Sequence, residues 1–305
     1  MSPTYHPGVH RFALVLTAAT FLLLIAGALV TSNEAALSVP DWPLSYGSLT
    51  PPMVGGIAYE HTHRVVAATV GLLTVVMALL LWNNEERTWI RWLGLGAILA
   101  VCLQGLLGGL TVLLQLHYGF PVEHASLAQI FFGCVVAIAL FTSRWWVSPQ
   151  PLREDCGEPS VHTVALLNSA VIFLQVVLGA GFRHKNIPIW PHLLGAVAVA
   201  GTVTWTGIVL RRRFDAAKEL TRARIALHSV FGVQFLLGGG ALWARLATTR
   251  APQPVGLTVA VTVIHTVVGA LTFACAVVVL LLCYRLVPRR AGSAVAASEA
   301  EAVRP

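Results

Sequence analysis

The amino-acid sequence predicts an all-α integral membrane protein, with eight transmembrane helices as two duplicated four-helix bundles and with both termini in the cytoplasm. Three observations predict this class: the composition, eight long uncharged runs, and a motif that occurs twice. Of the 305 residues, 56% are hydrophobic and only 11% are charged, whereas about 25% are charged in soluble domains. Because lipid offers no water to an open backbone, long apolar runs in such a chain must be helices.

Eight apolar runs are long enough to cross a bilayer, which takes about 20 residues. They cover residues 11–31, 60–82, 92–115, 122–142, 161–182, 192–210, 223–246 and 257–285. A polar, proline-rich stretch divides them into two sets of four. We therefore expect an amino-terminal half over 1–147, a cytoplasmic linker over 148–160, a carboxyl-terminal half over 161–286, and a disordered tail over 287–305.

Positive charges indicate the orientation. Most of the 20 Lys and Arg residues lie on the side of the two termini, and the other side has only Arg64, Arg183, Lys185, Arg245 and Arg250. Since Lys and Arg accumulate in cytoplasmic loops, both termini are expected in the cytoplasm. The net charge of +7 follows from this rule and from contact with anionic membrane lipid, so no nucleic-acid partner is expected.

Related motifs occur in both halves at nearly constant separation. A Gln and two Gly of the third run recur 130 residues later in the seventh run, as Gln104, Gly108 and Gly109 and then Gln234, Gly238 and Gly239. His63 of the second run likewise corresponds to His192 of the sixth, and His124 of the fourth to His265 of the eighth. Because both halves start from the same side, this pattern predicts a parallel duplication about an axis along the membrane normal.

Each half thus has two intramembrane histidines near the outer face. Ionisable groups are costly in lipid and therefore indicate function. Histidines on two facing helices of a four-helix bundle can hold a haem axially, which makes four residues candidate iron ligands for two haems: His63, His124, His192 and His265. The alternative is that each imidazole only hydrogen-bonds across helices, and the repetition in both halves weakens it.

Glu60, His63 and Arg64 lie three and four residues apart and share one face of the second helix. Glu60 could orient the histidine, accept a proton, or only pair with Arg64. The equivalent position of the second half, three residues before His192, is Ile189. Only the first half therefore has a carboxylate beside its candidate ligand histidine, where a catalytic reaction would require one. This difference favours an enzyme over a symmetrical electron carrier.

Two further features are expected to serve the site. The long first outer loop, 32–59, is expected to fold over the pocket and exclude water. Arg183 and Arg245 lie at outer helix ends, where they would either bind haem propionates or extend to the membrane interface.

These motifs together resemble those of a known family. The resemblance rests on Asp41-Trp42-Pro43-Leu44, Glu60 with His63-Arg64, Gln104 to Gly109, His124, Gln175 to Gly179, Arg183-His184, His192 and His265. On these residues the chain resembles the haem A synthases, membrane enzymes that convert haem O to haem A for terminal oxidases. The resemblance covers nearly the whole chain.

The resemblance implies a division of roles between the halves. Haem O, the substrate, would be held between His63 and His124 with Arg64 beside it, and Glu60 would be the catalytic carboxylate. A haem b cofactor would be ligated by His192 and His265, with the propionate partners Arg183 and Arg245. The reaction oxidises a ring methyl in two hydroxylation steps, and loss of water leaves a formyl group.

The expected partners are a haem O synthase, an electron donor that is either a quinol or ferredoxin-like, and membrane lipid, with assembly into a homo-oligomer left open. We expect a bacterial plasma membrane, because no Arg- and Ser-rich presequence precedes the first run. The alternative function is a diheme cytochrome b-like electron-transfer protein that oxidises quinol, in which both haems are permanent. A transporter is the third class considered, and nothing suggests the broken midplane helices it would need.

The sequence departs from the family pattern in two places. Many bacterial members have two cysteines in the first outer loop where this chain has Ser38 and Ser45, so the chain resembles the type that lacks the pair. No disulfide relay is then expected, and the loop would be held by packing alone. Leu193 follows His192 where the family often has Arg, so Arg183 or Arg245 would replace a propionate partner.

Overall fold

The computed structural model describes residues 4–117 and 119–289. Within these residues the chain forms nine helices. They are α1 (Pro7–Ser32), α2 (Gly55–Asn84), α3 (Thr88–Leu113), α4 (Phe120–Phe141), α5 (Arg144–Val147), α6 (Val161–Arg183), α7 (Trp190–Phe214), α8 (Lys218–Ala247) and α9 (Gly256–Leu286).

All of these helices except α5 are long and apolar enough to cross a membrane. The prediction of a multi-pass, all-helical membrane protein with eight spans is therefore confirmed. The helices extend beyond the apolar runs, as at α8, which begins at Lys218 and not at 223. Hydropathy detects only the lipid-facing middle of a span, because charged residues at helix ends extend into the interface. The short helix α5 has no counterpart among the predicted runs, and its cap is Ser143, which accepts a hydrogen bond from the Trp146 N–H.

The eight long helices contact each other as two rings of four. In the first ring α1 contacts α2 and α4, and α3 contacts α2 and α4. In the second ring α6 contacts α7 and α9, and α8 contacts α7 and α9. The rings meet along α1, α4, α6 and α9, so these four helices form the centre of the molecule.

Apolar packing joins the two rings into one structure. Leu16, Met77 and Phe132 belong to a buried cluster of the first ring that also includes Ala270 and Ala274 of α9. At Gly133 of α4 an added Cβ would lie 3.3 Å from the Phe273 ring. Close approach at small residues is the usual way in which helices pack in lipid, where no hydrophobic force drives them together.

The segment 148–160 is packed against the helix ends. The Asp155 carboxylate accepts hydrogen bonds from the N–H groups of Val161 (2.6 Å) and Gly157 (3.1 Å) and pairs with Arg213 (3.3 Å). Burial alone would raise the pKa of Asp155, but these donors outweigh it and lower the pKa. Arg153 N–H donates to the Leu286 carbonyl at 2.8 Å, which joins this segment to α9.

The start of the tail, as the sequence delimits it, is also packed. Val287 is buried, and its carbonyl accepts a hydrogen bond from His162 Nε2 at 2.9 Å. Residues 290–305, the remainder of that segment, lie outside the described residues.

We expect Asp155→Asn to lower the free energy of unfolding by about 2 kcal/mol near neutral pH, since hydrogen bonds to a charged group contribute about 1.5–3 kcal/mol. Because folding lowers the pKa of Asp155, the stabilisation is present above the unfolded pKa and disappears as the pH falls through the folded pKa. Thermal unfolding of the detergent-solubilised protein across pH measures this. Asp215→Asn is the control, because the Asp215 side chain is 70% exposed and 3.9 Å from Arg224. An equal effect of the two substitutions would contradict the role given to Asp155.

Candidate functional site

Four histidines lie in two edge-to-face pairs, one pair in each ring of helices. The ring centroids of His63 on α2 and His124 on α4 are 6.4 Å apart, and the ring planes are 86° from parallel. The centroids of His192 on α7 and His265 on α9 are 6.3 Å apart at 90°. The structure thus brings together the residues that the sequence pairs as ligands.

This spacing fits one metal ion between two imidazoles. Imidazole nitrogens bind metals at about 2.0–2.1 Å, and the ring centre lies ~1.1 Å behind the nitrogen, so two imidazoles on opposite sides of one metal have centroids about 6.3 Å apart. Within residues 4–117 and 119–289, no group of three or more His, Cys, Asp or Glu could hold a metal by itself. Two axial ligands suffice for a haem, because the porphyrin supplies the other four nitrogens.

Each of these imidazoles lies against a glycine of the neighbouring helix. An added Cβ would lie 3.2 Å from the His63 ring at Gly27, 3.2 Å from the His124 ring at Gly108, 2.9 Å from the His192 ring at Gly179, and 3.2 Å from the His265 ring at Gly238. The sequence suggests only close helix packing at these glycines. The structure shows that they make room for the imidazole rings, and their matched positions in the two halves were the available signal.

Buried polar groups lie in the layer of the imidazole pairs. The Cε1 and Nδ1 atoms of each imidazole are the ring atoms nearest to the neighbouring glycine. The side-chain oxygens of Gln104, Gln175 and Gln234 are buried and make no hydrogen bond, and each such atom costs about 1–3 kcal/mol. The spacing within each pair of imidazoles fits a haem iron held between them.

Glu60 lies in α2 one turn before His63, with 3% of the residue exposed. Its carboxylate accepts a hydrogen bond from the Val39 N–H at 2.9 Å and from Arg64 at 2.6 Å. Since α2 begins at Gly55, Glu60 and His63 lie deeper in the helix than its predicted start at residue 60 implies. Glu60, His63 and Arg64 thus form one group that includes the preceding loop.

The loop between α1 and α2 is held by hydrogen bonds. Arg64 donates to the carbonyls of Asp41 (2.6 Å), Leu44 and Val39 (3.2 Å), in addition to Glu60. Ser45, which occupies one of the two cysteine positions of the family, bonds His61 Nδ1 at 2.9 Å. The expectation that this loop is held by packing alone was therefore wrong.

Asp41 closes the turn at the tip of this loop. Its carboxylate accepts hydrogen bonds from the N–H groups of Tyr46 (2.7 Å) and Gly47 (2.8 Å), and the Gly47 bond is the larger cause of the lowered pKa of Asp41. Tyr46 and Gly47 both have positive φ, at 54° and 66°. A short acidic side chain that satisfies successive N–H groups is typical of such turns.

Trp42 of the same loop packs on α3. A Cβ at Gly109 would lie 2.8 Å from the Trp42 ring, whereas nothing lies within 4 Å of the equivalent position at Gly239. The loop therefore covers the ring of four helices that contains His63 and His124. The other ring of helices has no such cover at Gly239.

Arg183 and Arg245, the two arginines assigned to propionates, lie in the last turns of α6 and α8. Arg183 donates to the Ala28 carbonyl (3.3 Å) and to Ser32 Oγ (2.5 Å) of α1, and the Arg245 guanidinium lies 4.8 Å from the centre of the Phe182 ring. Burial, together with smaller contributions from the charge of Arg183 and from His124, lowers the pKa of His184 to about 4. His184, to which the sequence gives no ligand role, is therefore neutral at neutral pH.

Comparison with known proteins identifies the family. A family model described as cytochrome oxidase assembly protein matches residues 56–187. A haem A synthase of Symbiobacterium thermophilum is 30% identical over 273 residues, which are 73% of this chain and 85% of the relative. A haem A synthase of Shouchella clausii is 33% identical over 193 residues, 59% of this chain and 61% of the relative.

The chain belongs to the haem A synthase family.

The resemblance inferred from the motifs is thereby confirmed. In this member of the haem A synthase family, the match to the family model begins just before Glu60 and ends just after His184. It includes Arg64 and His124, and so it includes the buried carboxylate of Glu60 and the first pair of imidazoles. All five cysteines, which lie within the described residues, are free.

We expect Gly238→Val to weaken the binding of a haem between His192 and His265, because the added methyl groups displace the His265 ring. The cost of overpacking, about 1–3 kcal/mol, corresponds to a loss of haem affinity of about tenfold. Gly239→Val in the same helix is the matched control, since nothing lies within 4 Å of an added Cβ there. Haem content per purified protein and the absorbance of bis-histidine haem measure the effect. Equal losses in the two variants would show that the glycine does not position the ligand.

Proposed function

We propose that this protein is a haem A synthase, in which the amino-terminal ring oxidises a methyl group of haem O to a formyl group and the carboxyl-terminal ring holds haem b. Family membership supports the reaction, and two successive hydroxylations followed by loss of water account for it. The observation that carries the division of roles is that both imidazole pairs have the spacing of axial ligands, but only the first has a buried carboxylate and a covering loop.

His63 and His124 bind and orient the substrate. Their rings are fixed by Gly27 and Gly108 on one side, so a porphyrin between them has a defined plane and a defined set of ring edges near α2. Trp42 and the hydrogen-bonded loop exclude water from this space. Positioning of this kind is the protein's share of the catalysis, because the hard chemistry belongs to the iron and its oxidant.

Glu60 moves protons at the substrate. Its carboxylate is held in place by Arg64 and by the Val39 N–H, so it does not reorient when the substrate binds. A carboxylate one helical turn from a ligand histidine is positioned to accept a proton as a methyl carbon is hydroxylated. Four of the five N–H donors of Arg64 are already used, which makes Arg64 a positioning residue for Glu60 and the loop.

His192 and His265 bind haem b. When bound, haem b supplies one-electron transfer towards the substrate site. The positive charges of Arg183 and Arg245 favour binding of the negatively charged propionates of haem b. Arg183 replaces the arginine that the family often has at the position of Leu193. Within the described residues neither arginine has a carboxylate within ion-pair distance, so their charge is available to an anionic ligand.

The repeat and the charges support the proposed membrane setting. The two rings of helices would be a duplication with both termini in the cytoplasm, and the two sites would then lie near the outer face of a bacterial plasma membrane. The rings of contacts and the matched pairs of glycine and histidine support the duplication. A haem O synthase that delivers the substrate, and a quinol or ferredoxin-like electron donor, are the partners this reaction needs.

We expect Glu60→Gln to abolish formation of haem A in cells that make haem O, while haem b stays bound. Glutamine can still accept the Val39 hydrogen bond but cannot take up the proton, so the substitution separates catalysis from the hold on the loop. Extraction of the haems followed by chromatography measures the products. Glu123→Gln is the control, because Glu123 is an exposed carboxylate next to His124. Wild-type amounts of haem A from Glu60→Gln would leave Glu60 with only its structural role.

We expect the two pairs to respond differently to loss of a ligand. His192→Ala should lower the haem b of the purified protein to a small fraction of the wild-type amount, whereas His63→Ala should leave haem b bound and stop conversion of haem O. Haem analysis of both variants, purified from cells without haem O, measures the haem b content, and haem extraction from cells that make haem O measures the conversion. Equal losses of haem b would instead indicate two permanent haems, as in an electron-transfer protein.

A further inference from the structure

An apolar groove lies between the first loop and α2. It encloses about 350 Å³ and is lined on one side by Leu49, Pro51 and Met53 and on the other by Thr62 and Val66 of α2. No Asp, Glu, Lys or Arg side chain lines it. The lining has one imidazole, His61, whose Nδ1 is hydrogen-bonded to Ser45. The size lies in the range of ligand pockets, about 300–1,000 Å³.

A second cavity adjoins this groove between α1 and α2. It encloses about 300 Å³ between α1 and α2, and its lining is Ala26, Leu29, Ala58, Tyr59 and Thr62. Thr62 lines both cavities, so they are neighbours. Gly27, next to Ala26 in α1, is the residue that contacts the His63 ring.

Two residues that line these cavities lie near His63 on α2, and so the cavities lie near the substrate site. Val66 is three residues after His63 and Tyr59 is four residues before it, so both lie close to the face that carries the ligand. On the other side of that face lie Glu60 and the arginine that holds the loop. A group that leaves the porphyrin edge towards α1 therefore meets only apolar and neutral surface.

We propose that the groove and the adjoining cavity together bind the isoprenoid tail of haem O. The inference rests on the proposed function and names the feature by which the site selects its substrate. Haem O differs from protohaem by an apolar hydroxyethylfarnesyl chain, and a groove without charges accepts that chain while it excludes the propionates at the opposite edge of the porphyrin.

The groove is preformed, which gives it a role in selection. The Ser45–His61 hydrogen bond (2.9 Å) and the Arg64 hydrogen bond to the Asp41 carbonyl (2.6 Å) fix the loop wall against α2. A chain that fits a fixed groove loses little on binding beyond its own freedom. A tail-free haem leaves the groove unused.

The test measures binding in the purified holoprotein in nanodiscs, in the ferric state without reductant, so that no conversion occurs. Haem O and deuterohaem, which has no tail and separates from haem b on chromatography, are titrated into the vacant first pair. Thr62→Trp fills the point where the two cavities meet, and Leu49→Trp narrows the groove from a residue that is 77% exposed and tolerates a larger side chain. Leu72→Trp, on the same helix and 66% exposed, is the control.

We expect each groove variant to weaken binding of haem O by about tenfold and to leave deuterohaem binding and haem b content unchanged, with Leu72→Trp like the wild type. An unchanged ratio of the two affinities, or equal losses for both haems, overturns the proposal. Loss only of co-purified phospholipid, with the ratio unchanged, would assign the groove to bilayer lipid. Failure of the wild type to make haem A refutes the proposed function without touching this result, since binding is measured without turnover.

Discussion

The contact between each of the four paired histidines and a glycine on the neighbouring helix is the constraint on which the rest of the site depends. A bulky residue at Gly27, Gly108, Gly179 or Gly238 would push the imidazole off its line towards its partner. With glycine there, the rings lie against the helix backbone and reach the spacing of 6.3–6.4 Å that a single iron requires. The backbone next to each glycine thus fixes the orientation of the imidazole ring.

The same scaffold serves two unlike purposes because the first half carries additional polar residues. Arg64 is used up by three loop carbonyls and Glu60, and so it converts a long connection into a fixed cover. In the second half Ile189 stands where Glu60 stands in the first, and Gly239 has no tryptophan on it. One ring is therefore equipped for chemistry with water excluded, and the other only holds a pair of imidazoles.

The sequence predicts the helices and the ligand pairs, and it predicts the loop poorly. The eight spans follow from hydropathy because lipid leaves the backbone no alternative, and the pairs of His63 with His124 and of His192 with His265 follow from the repeat. The helix starts differ, as at Lys218, because charged turns at the interface escape a hydropathy count. The hydrogen bonds of Arg64 to backbone carbonyl groups could not be predicted. Every residue has a carbonyl group, so the sequence does not indicate which carbonyls an arginine will bind. The role of Gly179 and its counterparts had a signal in the repeat, but small residues have a second and commoner use in helix packing.

The arrangement of the two rings also bears on electron transfer between them. The imidazole pairs belong to different rings, but α1, α4, α6 and α9 form one packed centre, in which Phe132 of α4 and Ala270 of α9 share a buried cluster. Protein cores are close-packed and resist deformation, so the separation of the two sites is fixed by this interface. Arg183 strengthens it from α6 by its bond to Ser32 of α1, and Ser32 in turn bonds Thr262 of α9 at 3.2 Å. In the proposed function, electrons would then pass from haem b to the substrate without any movement of one half relative to the other.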